Sequence, residues 1–448
     1  MRILLTVHQF FPTFRAGTEV LTLSVAKELI RRGHEVRIYT AHPTDLLLNE
    51  NERFDEYEYE GIHIYRFHHS YTIMSNQKSM IEVGFNNKLS VKFLQLILND
   101  FSPQLVHHFH LNRLGIGVIN LLDKYKIPQH FTVTDFWMIC PTAQLMLGDG
   151  QTCTGPSKNG GNCIKHLASN SVGGFMGNIV QSIPVQIIDK FASIVIKNKI
   201  TFGYPFSNEV LPLSLRIQNT VDALNKLQSI TVANSFMKDL LIRYNVKNEL
   251  IFESPFGINV KSTEETIKEI DYSRPLRIGF IGTLAPHKGC HILVDAFMKL
   301  PRKSATLEIY GEGDESSFYY QKLISDSIDN PFIKFCGIFP NEIINEIFKG
   351  FDVLVVPSLW YENTPLVIHS AQASKCPVIA SDYPGISEVI HNNINGMLFT
   401  PGDSDALAHC LNMVYENREL VSVFSKNSKA PLTIEKYVET LINRWGFI

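Results

Sequence analysis

Pro357-Ser-Leu-Trp-Tyr-Glu-Asn-Thr-Pro-Leu-Val-Ile-His-Ser-Ala371 is the stretch on which the fold turns. Before it, Phe351-Asp-Val-Leu-Val-Val356 is a short apolar, β-branched run and reads as a buried parallel strand. After it, Leu366 to Ala373 reads as a helix opened by Pro365, a residue suited to a helix start. A loop between a strand end and a helix start lies where open α/β sheets bind ligands. The N–H groups of residues 366–368, unpaired in the first helical turn, make an anion site there. Glu362 sets a carboxylate just before them. An acceptor for sugar hydroxyls beside donors for a diphosphate is the pairing a nucleotide sugar needs.

These residues resemble the donor-site motif of family 4 glycosyltransferases, retaining enzymes with the two-domain GT-B fold. The family pattern is glutamate, seven residues, glutamate. Glu362 fills the first place; Ser370 stands in the second.

Length and composition set the bounds. The chain has 448 residues, a formal net charge of −3 and seven cysteines. That length allows two to three domains with large cores. Near-balanced charge gives no footprint for nucleic acid. Met1-Arg-Ile-Leu-Leu-Thr-Val7 is too short for a signal peptide and runs into His8 and Gln9, and no stretch resembles a membrane span. The expected location is therefore the cytoplasm, with peripheral placement at the inner face of the membrane kept open. The cysteines are expected to be thiols or metal ligands.

The chain opens with a βαβ unit: strand Arg2–Val7, a helix over 18–32, and strand Gly33–Thr40, which implies a parallel sheet. The loop Phe11-Pro-Thr-Phe-Arg-Ala-Gly-Thr-Glu19 resembles the family's glycine pair, with Gly17 matching and Ala16 replacing the other glycine. Gly17 either brings a backbone N–H to the donor phosphate or acceptor, or only makes the turn. Residues 46–60 are acidic and read as a solvated excursion before a strand over 62–67. Leu105-Val-His-His-Phe-His110 ends a strand at the crevice. His110 matches a histidine that the family places near the acceptor; the other histidines read as packed or polar. In Thr134-Asp135 the carboxylate stands where the family often has His-Asp. Asp135 is either a catalytic contact or a turn cap. Trp137 reads as core.

Cys140, Cys153, Cys163 and His166 are spaced C-x12-C-x9-C-x2-H within glycine-rich loop sequence. They resemble a branch of family 4 in which Asp-Phe-Trp is followed by Cys-Pro and further cysteines. Either they hold a structural zinc that staples the loop, or they are scattered buried thiols. Val172 to Ile200 is apolar but interrupted by polar residues, and reads as a core helix in preference to a bilayer-docking face.

A charged run from Lys261 to Arg274 reads as the interdomain linker. A second βαβ series begins at Leu276-Arg-Ile-Gly-Phe-Ile-Gly282. The loop Thr283-Leu-Ala-Pro-His-Lys-Gly289 resembles the family's diphosphate grip, with Lys288 matching the lysine and Thr283 replacing an arginine. A lysine there suits developing phosphate charge. Leu307 to Asp314 carries the glycine turn at Gly311 that the family uses near the nucleotide.

The resemblance implies an α/β fold of GT-B type, two Rossmann-like domains facing a cleft. Residues 1–256 form the acceptor domain, with a cysteine-containing insertion near 140–166 and a helix over about 430–448 packed back on it. Residues 275–429 form the donor domain. The implied donor ligands are Gly17, Gly282, Thr283, Lys288, Gly311, Glu362, Pro365, Leu366, Val367 and Ser370. The implied catalytic groups are Lys288, Glu362, His110 and Asp135. A UDP- or GDP-linked sugar is the implied donor, a glycan or lipid-linked molecule the acceptor, and no catalytic divalent metal is expected. Bacterial surface polysaccharide assembly is the implied setting. Thr134, Thr283 and Ser370 depart from the family, which leaves a non-catalytic GT-B binding or scaffold subunit as the alternative.

Overall fold

The computed structural model describes the chain apart from residues 149, 173, 201–207, 260–266, 270, 341–342 and 447–448 and the side chains of 172–176. Residues 261–266 and 270 of the expected linker thus lie outside the described residues, as do 201–207. The chain divides into two units, Met1–Ser254 with Ile434–Ile448, and Pro255–Thr433.

The first unit holds strands β1 (Arg2–Val7), β2 (Glu35–Pro43), β3 (Phe54–Tyr59), β4 (Ile62–His69), β5 (Leu105–His108), β6 (Gln129–Val133), β7 (Ser229–Val232) and β8 (Ile251–Glu253). Their order is β3-β4-β2-β1-β5-β6-β7-β8. All pairs are parallel except β3 with β4. The order reverses between β1 and β5, so the loops after those two strands diverge and open a crevice at their carboxyl ends.

Residues 54–59 correct the expected solvated excursion. They pair antiparallel with β4, Asp55 opposite Arg66. Arg66 grips Asp55 with two hydrogen bonds of 2.8 and 2.6 Å, and the Phe54 ring stacks on Phe93 at 4.8 Å. Cross-strand pairs of this kind outweigh the poor strand propensity of the acidic residues.

The helix Ile434–Trp445 returns to the first unit, burying Tyr437, Val438 and Leu441. Its polar groups complete buried hydrogen bonds: Tyr437 Oη with Thr132 Oγ1 at 3.0 Å, and Trp445 Nε1–H donating to His107 Nδ1 at 3.2 Å. The apolar stretch after the cysteines forms two helices, Gly174–Ser182 and Val185–Asn198. Pro184 separates them, since it cannot donate to a continuing helical ladder. Only one side of the second helix is core. Ile188, Ala192 and Val195 are buried, whereas Ile187, Phe191 and Ile194 are exposed, so the expected core helix is corrected to half a core helix.

The second unit holds β9 (Leu276–Ile281), β10 (Ala305–Tyr310), β11 (Ile333–Gly337), β12 (Val353–Val356), β13 (Val378–Ser381) and β14 (Gly396–Phe399). They form one parallel sheet in the order β11-β10-β9-β12-β13-β14, the doubly wound Rossmann order. The run Val353-Leu-Val-Val356 shows why it is apolar throughout. Val353 and Val355 enter the core on one face; Leu354 and Val356 enter the core on the other. The strand order reverses between β9 and β12. The loops after these strands, 282–289 and 357–365, are therefore brought to one crevice although they are far apart in sequence.

Candidate functional site

In the second unit the two loops at that reversal are locked together. Leu359 N–H donates to His287 O at 2.8 Å. Gly289 adopts a left-handed conformation, φ 69°, and a Cβ there would lie 1.8 Å from Pro357 O. No side chain fits this approach, so the glycine is what lets Lys288 reach the other loop. Gly311 plays the same part beneath. Its φ is 148°, a Cβ would lie 1.9 Å from Gly282 O, and Gly282 N–H donates to Tyr310 O at 3.0 Å.

The result is a charged cluster around one oxygen. Glu362 Oε1 accepts from Lys288 Nζ at 2.7 Å, Ser358 Oγ at 2.7 Å and Trp360 Nε1 at 2.8 Å. Burial opposes ionisation of Glu362, but the Lys288 charge and the three hydrogen bonds outweigh it and hold the carboxyl below its usual range. Lys288 also lies 4.9 Å from the Trp360 ring centroid, and His287 meets Trp360 edge-on at 4.9 Å. Burial and the Lys288 charge lower the His287 pKa to about 4, so it is a neutral packing group at pH 7.

Lys288 and Glu362 thus meet, and Oε2 of Glu362 is left for a further donor. The helix Leu366–Ala373 starts where its sequence indicates, with Pro365 at the N-cap. The expected anion site is narrower than three N–H groups, because Ile368 N–H is taken by Pro365 O at 3.0 Å. Leu366 and Val367 keep theirs. Ser370 is 6% exposed on the same helix. Thr283 is exposed at the end of β9. Ser358 and Trp360 were not singled out by their sequence; the only signal was their place four and two residues before Glu362.

In the first unit, the loops after β1, β5 and β6 carry a second polar cluster. His110 Nε2 lies 2.7 Å from Asp135 Oδ2, and His110 Nδ1 accepts from Asn112 N–H at 3.0 Å. A nitrogen that accepts from a backbone N–H carries no proton, so Nε2–H donates to Asp135. Both ring nitrogens of His110 are occupied, which fixes its ring against the Asp135 carboxylate. Asp135 Oδ1 also accepts from Trp137 N–H at 2.8 Å, making Asp135 a turn cap and the more exposed member of the pair at once. His8 stacks on His110 with ring centroids 4.0 Å apart. Burial first, then electrostatic coupling to His110 and Arg113, holds the His8 pKa well below its usual value. Glu19, completely buried on the opening helix, lies 3.7 Å from His8 Nε2, and burial raises its pKa. Gly17 begins that helix and is exposed. The loop after Asp135 is held from behind by Arg216, whose buried guanidinium donates to the carbonyls of Trp137 and Ile139.

Cys140, Cys153, Cys163 and His166 all line one small cavity. Among the described residues, however, no three His, Cys, Asp or Glu side chains are arranged to hold a metal ion. The four residues are thus brought together without the ligand geometry of the expected zinc set. Burial raises the pKa of Cys153 and pushes that of Cys163 up to about 12, which keeps both as neutral thiols. The loop has another staple. Asp189 Oδ1 accepts from Ser157 Oγ at 2.8 Å and Gly161 N–H at 2.8 Å, and Asn162 Nδ2 donates to Gly155 O at 2.7 Å.

A family model described as glycosyl transferases group 1 matches residues 275–417. An uncharacterised glycosyltransferase of Methanocaldococcus jannaschii, MJ1607, is 26% identical over 221 residues, which cover 47% of this chain and 56% of that one. An uncharacterised 42.6 kDa protein in the cps region of Klebsiella pneumoniae is 24% identical over 402 residues, 87% of each chain. Among solved structures, Anabaena HepE in complex with UDP superposes with a TM-score of 0.63 at 16% identity, covering 100% of both chains. This likeness bears on fold, and it bears out the expected GT-B class of two Rossmann-like α/β units.

Proposed function

We propose that this chain, which belongs to the group 1 glycosyltransferases, moves a sugar from a nucleotide-sugar donor to a glycan or lipid-linked acceptor. The observation that carries the reading is the 2.7 Å contact of Lys288 Nζ with Glu362 Oε1 at the β9/β12 reversal, beside the N–H groups of Leu366 and Val367. Lys288 has three N–H donors, of which one serves Glu362. The others face the charge that builds on the departing diphosphate. Leu366 and Val367 add backbone donors at a helix start. Glu362 Oε2 accepts from a sugar hydroxyl and orients the ring, while Ser358 and Trp360 hold Oε1 still. Asp135, fixed by His110, contacts the acceptor hydroxyl.

Retention of the anomeric configuration and a role in bacterial surface polysaccharide assembly follow from the family resemblance, and the Klebsiella relative in the cps region supports the second. Among the described residues no helix is long and apolar enough to cross a membrane. UDP-linked sugars lead the donor candidates, since the solved neighbour carries UDP, and GDP-linked sugars come next. The test is consumption of donor, with and without acceptor glycans, across a panel of UDP- and GDP-sugars. One donor is expected to be turned over. Nucleotide binding without turnover across the panel would move the assignment to a non-catalytic binding subunit. Ser370 and Thr283 favour that second reading, because each replaces a charged family group.

Ser370 gives a separate expected outcome. A glutamate at this helical position accepts from both ribose hydroxyls in the family, and serine offers one neutral group. Ser370→Glu is expected to tighten nucleotide binding by about 1–3 kcal/mol, the worth of hydrogen bonds to a charged group. Calorimetry with UDP reads it. Weaker binding by the folded variant would mean that the pocket is shaped around serine.

A further inference from the structure

We infer that Arg113 binds an oxyanion of the acceptor, a carboxylate or a phosphate, in the crevice of the first unit. Arg113 stands on the loop after β5 and reaches across the β1/β5 reversal. Its Nη1 donates to His8 O at 3.3 Å and to Gln9 Oε1 at 3.0 Å, both on the loop after β1. Those bonds use two of the five N–H donors of a guanidinium. The other edge, Nε–H with Nη2–H, meets no acceptor among the described residues, and Nε is shut off from water. Neither Glu19 nor Asp135, the acids placed in this crevice above, forms an ion pair with Arg113. Glu19 lies against His8, and Asp135 against His110. A half-buried positive charge is thus left unanswered by the protein.

Chemistry selects the ligand. A charge drawn out of water without a partner is costly, and a buried N–H seldom lacks an acceptor. The nearby histidines supply no counter-charge. Burial first, then the Arg113 charge, lowers the His69 pKa to about 3, and both ring nitrogens of that buried residue also lack a partner. The same charge adds to burial in lowering the pKa of His8 and His42. The Nε/Nη2 edge offers two parallel N–H bonds, spaced for two oxygens of a carboxylate or phosphate. Bracing of the loop after β1 accounts for Nη1 alone. The backbone adds a second observation. Arg113 has φ 69°, a left-handed conformation that glycine adopts freely and arginine does not. Such strain persists where the side chain has a use. His110, three residues earlier, meets Asp135, which puts this subsite beside the proposed contact with the acceptor hydroxyl. That the oxyanion belongs to an acceptor rests on the sugar-transfer reading above.

The test is ligand-observed NMR titration of the full-length protein with matched charged and neutral sugars. Methyl glucuronide against methyl glucoside reads a carboxylate, and glucose 1-phosphate against methyl glucoside reads a phosphate. The galactose counterparts are run alongside, all with UDP present to fill anion sites of the second unit. One charged class is expected to bind about tenfold or more tighter than its neutral match, with the preference shrinking as salt is raised. Arg113→Gln is expected to erase the preference, and Arg113→Lys to keep part of it, since lysine retains the charge without the fork. Should Arg113→Gln misfold, Arg113→Gly serves, because glycine suits the backbone there. Equal or absent binding of charged and neutral sugars by the parent protein would overturn the inference, as would a preference that survives in Arg113→Gln. So would a variant that loses its thermal melt and every ligand alike, which would leave Arg113 as a brace of the loop. No donor turnover enters this measurement. An idle donor panel with the anion preference intact would sink sugar transfer alone; a turned-over donor without the preference would sink the subsite alone.

Discussion

Replacing Lys288 by alanine is expected to lower turnover by about 10²-fold or more, with a smaller change in the donor KM. In the proposed reaction the ammonium faces charge that is greater in the transition state than in the bound donor, so its loss falls mainly on kcat. Two features sharpen the expectation. Lys288 is partly exposed and reaches Glu362 at 2.7 Å, so it is held where the crevice opens. Its removal also takes away the charged partner of a buried carboxylate, leaving Ser358 and Trp360 as neutral donors. Glu362 then regains a proton more readily and loses strength as an acceptor for the sugar. Arginine is not an equal replacement, because its planar fork cannot present three donors from one point. A folded Lys288→Ala protein with parental turnover would remove the phosphate-clamp role. Steady-state kinetics with the donor found in the panel, together with a thermal melt, separates loss of chemistry from loss of fold.

The second large effect is acid lability of the first unit. Burial lowers the pKa of His108 and His130 to about 4 and of His69 to about 3, and it holds His8 and His107 well below 6.5. These groups are neutral in the fold, whereas unfolded histidine takes up a proton near pH 6.5. Above that pH neither state binds the proton, and the fold loses nothing. As pH falls from about 6.5 towards 4 the unfolded chain is protonated and the folded chain is not, so stability drops through that window. A histidine with a folded pKa of about 4 costs the fold about 2 kcal/mol at pH 5. Together such groups rival the whole stability of an ordinary domain, about 5–15 kcal/mol. Urea titrations of the protein at pH 7.5 and pH 5 are expected to show a large fall in the midpoint of the transition that melts the first unit. Equal midpoints would mean that these rings are solvated or already charged at pH 7.5.

Much of this molecule could be read before its structure. The strand Val353–Val356, the loop after it and the helix at Leu366 are local features, each decided by a few residues in a row. So is the glycine-rich turn that carries Lys288. What the sequence could not supply was the meeting of residues distant along the chain. Lys288 and Glu362 are joined by the reversal of strand order between β9 and β12, a property of the sheet. Trp360 and Ser358 were hidden for a related reason: only the arrival of Lys288 defines the oxygen they share. His110 was legible as a polar residue at a strand end. Its work as a holder of Asp135 was not, since that depends on which nitrogen Asn112 occupies. The edge strand Phe54–Tyr59 was missed because half of its residues are acids, Asp55, Glu56 and Glu58, and its partner Arg66 supplies the order. The cysteines were legible as a group, and they do line one cavity. Their spacing also suggested ligands, whereas Asp189 and Asn162 brace that loop with ordinary hydrogen bonds.

The return of the helix Ile434–Trp445 to the first unit has a consequence for how the protein is made. Synthesis runs from the amino to the carboxyl end, and a ribosome delivers Met1–Ser254 long before this helix. Until then His107 and Thr132 lack the Trp445 and Tyr437 partners that complete their hydrogen bonds, and the surface that Val438 and Leu441 will cover is open to water. The second unit, Pro255–Thr433, is contiguous and can finish while the older unit waits. The unit made first is thus the last to close, and a nascent chain stalled anywhere before residue 434 displays an apolar surface to the cell's chaperones.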